Sequence, residues 1–272
     1  MTFSLVPNWL RIALLALSLL SFLPQLRHTI YRKNGTGISI CYILFNLFSA
    51  TEQFSMAFYF VVEHIGNPTA FCHDPVTTGD WLNFAQTAIV AVLWLVLFTV
   101  CLLLPSNHAI ASKIFALLVY IAFLYISIIP LYEDYMHPPR KGREFGANLW
   151  FGIHAWLITK VVLGLSIVAI YCQAKEIRSR PWERALSRVG ITVQAVVFSL
   201  VAVSWVLRVE YPWGEMSLSW ESLLRWYYLV GWAPVFNAVF ALGQAVLLAV
   251  VWRSGRVGGR VCKGETEPLL RA

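Results

Sequence analysis

The stretch Leu23-Pro24-Gln25-Leu26-Arg27-His28-Thr29-Ile30-Tyr31-Arg32-Lys33-Asn34-Gly35-Thr36-Gly37-Ile38-Ser39 decides how the fold is read. One apolar run ends in Pro-Gln, a short basic stretch follows, and Gly37-Ile38-Ser39 opens the next run. Proline removes an amide donor and crowds the preceding turn, so it kinks or ends a helix. In a bilayer the carbonyl it frees needs a new partner. Gln25 is the expected partner, because its amide both donates and accepts. The spacing therefore predicts a membrane helix that ends in a break at Pro24. That break reads either as a gate or as a static kink, and a proline alone does not separate the two.

The surrounding composition supports a membrane setting. Of 272 residues, 58% are hydrophobic and only 13% are charged, about half the roughly 25% of soluble domains. This excludes an ordinary soluble domain and a disordered chain. Seven apolar runs follow one another, near 7–26, 37–62, 81–104, 110–131, 147–171, 185–207 and 224–252. A spanning helix needs about 20 apolar residues, so each run is long enough. The first run lacks a basic leader and a small-residue cleavage site, and is read as a helix rather than a signal peptide.

Fourteen Lys and Arg fall after runs one, three, five and seven, and six fall on the other side. The positive-inside rule then places the C-terminus in the cytosol and the N-terminus in a lumen or outside. The net charge of +7 reads as this bias, not as a nucleic-acid signal. Trp81, Trp150, Trp213, Trp220 and Trp226 sit near one set of run ends, and Trp182 and Trp252 near the other, an interfacial aromatic belt. Asn34-Gly35-Thr36 is a glycosylation sequon that this orientation places in the cytosol, unmodified. Asn67-Pro68-Thr69 carries the forbidden proline.

The Pro24-Gln25 motif, its basic loop and Gly37-x-Ser39 resemble the PQ-loop family, which includes cystinosin and the lysosomal and vacuolar cationic amino-acid exporters. Tyr42, Leu44 and Asn46-Leu47 fall where that family has aromatic, aliphatic and Asn-Leu positions. The close resemblance covers about residues 12–60, and the SWEET sugar transporters share the broader fold. It implies an all-α, seven-helix membrane protein in a 3+1+3 arrangement. Residues 1–104 would form the first three-helix repeat, 105–146 a linker helix and lumenal loop, 147–252 a second repeat and 253–272 a basic cytosolic tail. The second repeat should carry its own Pro-Gln at the cytosolic end of helix five. This chain has Cys172-Gln173 there, so the glutamine survives and the proline does not.

Charges inside spans are costly and usually face a cavity or a partner. Glu52 lies deep in the second run and Lys160 near the middle of the fifth. Ser49, Glu52, Gln53 and Met56 share one helical face by spacing, and Asn46 extends it by a turn. One reading makes Glu52 the proton-sensitive group of a substrate site, with Lys160 binding a substrate carboxylate or holding Glu52 charged. The other makes them a buried ion pair, or lets Lys160 snorkel to the interface. Asn83, Gln86, His154, Gln194, Asn237 and Gln244 are further polar candidates. Asn237 is the most suggestive, because Gly231-Trp232-Ala233-Pro234 precedes it as a second helix-breaking signal. The rest read as interhelical hydrogen-bond partners.

The five cysteines form no CxxC pair, and no spacing fits a metal site. No HExxH, GxSxG or P-loop motif is present, so neither an enzyme nor a cofactor is expected. Glu265, Leu269 and Leu270 resemble an acidic dileucine sorting signal, which adaptor proteins read from the cytosol; as an alternative, the tail is merely solvated. The expected function is transport of a small polar solute, an amino acid for example, coupled to protons across a vacuolar or lysosomal membrane. Pro24 and Gln25 would form the gate, and Asn46, Glu52, Gln53, Lys160 and Asn237 the substrate or proton site. The alternative is a non-transporting seven-helix receptor or adaptor.

Overall fold

The computed structural model describes residues 6–62, 71–73, 75–136, 143–180, 186–208 and 219–266. Their regular structure is all helical. The order is α1 (Asn8–Arg32), α2 (Ile40–Val62), α3 (Thr78–Leu103), α4 (Ile110–Ser127), α5 (Ile129–Met136), α6 (Arg143–Ile153), α7 (Thr159–Ser179), α8 (Arg188–Arg208), α9 (Trp220–Trp226) and α10 (Trp232–Thr266). Two short π-helical segments, His154–Ile158 and Tyr227–Gly231, fuse α6 to α7 and α9 to α10.

Among the described residues, six helices are long and apolar enough to cross a membrane: Asn8–Arg32, Thr78–Leu103, Ile110–Ser127, Phe145–Ser179, Arg188–Arg208 and Trp220–Ser254. By length and composition the chain is a multi-pass integral membrane protein. The sequence reading counts seven runs, and the difference is α2. It is a helix of 23 residues, but Asn46, Ser49, Thr51, Glu52, Gln53 and Ser55 make it too polar to stand among the six.

The solvent logic of a soluble protein is reversed here. Ile12, Leu20, Phe115, Leu118, Val196 and Val203 are exposed, while Glu52, Asn83, Gln86, His154, Gln173 and Arg208 are buried. An outer surface this apolar suits hydrocarbon, not water.

Helix ends follow local chemistry. Thr77 and Asp80 form a reciprocal capping box at the start of α3, which satisfies two amides that would otherwise lack partners. α1 does not end at Pro24. It continues for another two turns to Arg32 and closes on Lys33 at φ 49°, a left-handed cap. Pro24 therefore lies inside a continuous helix, and the expected end of the helix at Pro-Gln is corrected. In the loop that follows, the Asn34 side chain accepts from the Thr36 amide at 2.8 Å, and the Gly35 amide donates to the Pro105 carbonyl at 2.8 Å. The fourth run also divides, into α4 and α5 at Ile128. The seventh continues past residue 252 to Thr266.

Packing sets two groups of three helices side by side. α3 packs on both α1 and α2, and α10 packs on both α7 and α8. Across the groups, α1 lies against α8 and α2 against α7, while α4 leans on α2. Edge-on aromatic contacts fill the middle. Phe22 meets Trp94 with ring centroids 5.5 Å apart, Trp94 meets Phe240 at 5.7 Å, and Phe240 meets Phe198 at 4.7 Å. At Gly190, α8 approaches α1 so closely that a Cβ would sit 3.3 Å from the Gln25 amide nitrogen. The bundle has an Asn8 end and an Arg32 end, after the two ends of α1.

Candidate functional site

α2 is the hub of the polar interior. Three consecutive residues reach three different helices, because each step along a helix turns about 100°. The Thr51 hydroxyl pairs with the Tyr120 hydroxyl of α4 at 3.2 Å. Glu52 reaches the α6–α7 rod, and Gln53 reaches α10.

Glu52 is fully buried. His154 Nδ1 faces both its carboxylate oxygens, at 3.1 and 3.0 Å, and the Thr159 hydroxyl donates to Oε1 at 2.9 Å. His154 is 1% exposed and stacks on Trp150, with ring centroids 4.0 Å apart. Its second ring nitrogen, Nε2, is buried without a hydrogen-bond partner. Tyr227, on the other π segment, lies within electrostatic reach of Glu52, and its hydroxyl is likewise buried and unpartnered. Two π segments thus flank one buried carboxylate, and such segments are frequent at functional sites. Chemically the pair can hold one proton between Oε and Nδ1, and Nε2 is where a second proton would enter.

Lys160 does not join this site. It is exposed on the outer face of α7, where Nζ donates to the Tyr228 hydroxyl at 2.7 Å. It also lies 4.7 Å from the Trp156 ring centroid and 4.8 Å from that of Tyr228. The expected roles of Lys160 as a substrate ligand or as the partner of Glu52 are therefore corrected. Thr159 and Lys160 are neighbours in sequence, but one faces in and the other out. Asn46 is buried but donates to the Tyr42 carbonyl of its own helix at 2.7 Å, so it stands apart from Glu52.

Gln53 and Asn237 meet. Asn237 donates to Gln53 Oε1 at 2.9 Å, and to the Ala233 carbonyl at 2.8 Å. Both line a cavity of about 10 Å³ between the two groups, together with Gln86, Thr87 and Trp205. A second cavity of about 10 Å³, toward the Arg32 end, is lined by Gln25, Tyr42, Gln194 and Gln244. Each has room for about one water. The two halves are closed on each other here.

The Arg32 end is tied by two glutamines in a reciprocal pattern. Gln25 of α1 accepts from the Ser187 amide, at the start of α8, at 2.8 Å. Gln173 of α7 accepts from the Ser39 amide, at the start of α2, at 2.8 Å, and donates to the Gly37 carbonyl at 2.9 Å. Each glutamine thus caps the second helix of the opposite group. The expected partner of Gln25 was the carbonyl freed by Pro24. Instead its amide oxygen crosses to α8, and its nitrogen donates to Thr29 at 3.0 Å. Beside this latch, Cys41 and Cys172 lie near each other across the halves.

Three participants escape the sequence reading. Thr159 carries no signal of its own. His154 is named there as a polar candidate but not as the partner of Glu52. Arg208 is counted there as a loop charge, yet it is 3% exposed and donates to Gln86 at 2.6 Å and to Asn83 at 3.2 Å. Its signal is position, since it directly abuts the apolar run 185–207. In the sorting signal, only the backbone of Glu265 is described, within α10, and Leu269 and Leu270 lie outside the described residues. Comparison with family models, with curated proteins and with solved structures finds no match to this chain.

Proposed function

We propose that the chain is a membrane transporter of a small polar solute that works by rocking two three-helix groups about a mid-membrane site. On this reading α2 is the seventh span, α1–α3 and α7, α8 and α10 are PQ-loop-like repeats, and α4 links them. The supporting contact pattern repeats itself, because in each group the third helix packs between the first two. Inverted or parallel repeats of this sort place substrate and coupling-ion sites at the repeat interface.

The observation that carries the proposal is the Glu52–His154 pair. It is fully buried, it joins α2 of one group to the α6–α7 rod of the other, and it can gain or lose a proton. A buried carboxylate costs several kcal/mol in desolvation, so a purely structural tie could be made more cheaply from apolar residues. Proton uptake at Nε2 would turn the tie between halves into an imidazolium–carboxylate pair and strengthen it, and proton loss would weaken it, so protonation is coupled to opening. The reciprocal glutamines then form the cytosolic latch, with the N-terminus lumenal. The membrane is a vacuolar or lysosomal one, with the tail offering Glu265, Leu269 and Leu270 to adaptor proteins.

The test is uptake into proteoliposomes of amino acids, organic acids and sugars, with and without an inward proton gradient. Gradient-stimulated uptake of one solute class, lost in Glu52→Gln and His154→Gln, is the expected result. Uptake indifferent to both variants removes the pair from the mechanism. No uptake of any class by folded protein puts the receptor or adaptor reading in its place.

A further inference from the structure

A cavity of about 440 Å³ opens on the outer face of the bundle at the Arg32 end. Its volume falls within the roughly 300–1,000 Å³ of small-molecule sites. Residues 102–105, where α3 ends, form one wall, and Ile110, Lys113, Ile114 and Leu117 of α4 form the other. The gap exists because α4 follows α3 by a short connection but leans on α2. Pro105 in the first wall is the residue whose carbonyl accepts from Gly35, so the groove abuts the loop between α1 and α2.

The groove is graded from charged to apolar. Side chains on a helix tilt toward its N-terminus. Lys113 accordingly reaches back to the end of α3, where Nζ donates to the Leu102 and Leu104 carbonyls at 3.0 and 2.7 Å. Its charge therefore stands at the Arg32 end of the groove. Ile110, Ile114 and Leu117 follow the i, i+4, i+7 spacing of one helical face, are exposed, and run from that end toward mid-span. A lipid has the same gradient, with a polar head at the interface and a chain pointing inward.

The charge selects among lipids. An ammonium has three N–H donors, and the two carbonyls use two of them. Carbonyls offer dipoles and no countercharge. Among the described residues the carboxylate ion pairs are those of Asp80, Glu52 and Glu176, and none of them is with Lys113. Acyl chains cover an exposed apolar face of a membrane protein in any case, so what remains to be decided is the headgroup. A zwitterionic head brings Lys113 no net charge, whereas an anionic one takes the third N–H and balances the ammonium. Basic pockets between membrane helices bind anionic headgroups in this way.

We propose that the groove between α3 and α4 is a site for one anionic phospholipid, with its headgroup on Lys113 and an acyl chain along Ile110, Ile114 and Leu117. Such a site needs the membrane setting alone and does not depend on transport.

The test uses full-length protein, purified in nonionic detergent and stripped of lipid. Native mass spectrometry follows retention of dioleoylphosphatidylserine or dioleoylphosphatidylcholine, which share their chains, from mixed micelles. Phosphatidylserine should fill one site per chain, at a half-saturating concentration about tenfold or more below that of phosphatidylcholine, the worth of one hydrogen bond to a charged group. Lys113→Met should abolish the preference. Arg178→Met, which removes an exposed cation of α7 at the same end, should leave it intact. Ile114→Trp and Leu117→Trp fill the groove and should weaken retention of phosphatidylserine with Lys113 in place. They change exposed positions, and so they decide the matter if Lys113→Met does not fold. Equal retention of the two lipids overturns the proposal, as does undiminished retention in both tryptophan variants. An Arg178→Met effect equal to that of Lys113→Met would show diffuse attraction to a basic end and overturn the site. Competition by glycerophosphoserine, the head without chains, at the same concentration as the whole lipid would overturn the part played by the groove. A dimer that forms through α4 and excludes lipid would overturn lipid as the occupant.

Discussion

Replacing Gln173 by alanine should loosen the Arg32 end. Gln173→Ala strips partners from two buried backbone groups, the Ser39 amide and the Gly37 carbonyl. A buried polar group left unpaired costs about 1–3 kcal/mol, and water restores the bond once the end opens. Gln173→Ala should therefore shift the balance toward the open form by at least about 2 kcal/mol. At tenfold per 1.4 kcal/mol, this is about a thirtyfold increase in the open population.

Two native thiols report that population. Cys41 lies two residues past Ser39, and Cys172 adjoins Gln173. Both are partly buried and free. When opening and closing are fast, modification of a protected group tracks the open fraction. The assay is alkylation of Cys41 and Cys172 by a water-soluble maleimide, resolved by peptide mass spectrometry. Rates in Gln173→Ala unchanged from wild type would refute the view that this glutamine holds the end shut.

Three further outcomes are expected. Lys160→Met removes contacts on the outer face only, so uptake should be unchanged and stability should fall by about 1 kcal/mol or less, the worth of an exposed cation–π contact; lost uptake would return Lys160 to the site. Mild oxidation should join Cys41 to Cys172 across the halves and arrest uptake until a reductant is added, and full uptake by the cross-linked protein would contradict rocking at this interface. Gly190→Val should push α8 off α1 at Gln25 and cost about 1–3 kcal/mol as overpacking, read as a lower melting midpoint and faster alkylation of Cys172. A neutral effect on both readouts would show that the close approach is unimportant.

Much of this protein is written locally in its sequence. Apolar runs report helices because a bilayer leaves the backbone no other way to satisfy itself. Six of the seven runs match helices long and apolar enough to cross a membrane, and the seventh, α2, is a helix kept out of that count by the polar residues that make it the hub. Glu52, Gln53 and Asn237 stood out because polar groups in an apolar run need partners. Gln173 stood out by its likeness to Gln25.

Which groups meet was decided only in three dimensions. Partner choice depends on the rotation of each helix about its axis, and on neighbours more than a hundred residues away. Glu52 finds His154 and Thr159, 102 and 107 residues on, while Lys160, one residue further, turns outward. The π segment His154–Ile158 contributes to this. It fits an extra residue into the rod and shifts the phase that an ideal 3.6-residue period assigns. Arg208 shows the same limit from the other side. A charge at the end of a run reads as solvated, but the packing of α8 against α1 and the hydrogen bonds of Arg208 to α3 bury it. The sequence by itself determined what each helix carries, because burial of apolar surface and satisfaction of backbone groups are local demands. Tertiary structure decided which charges are paired and which donors stay open, because helix phase and interhelical distance are properties of the whole bundle.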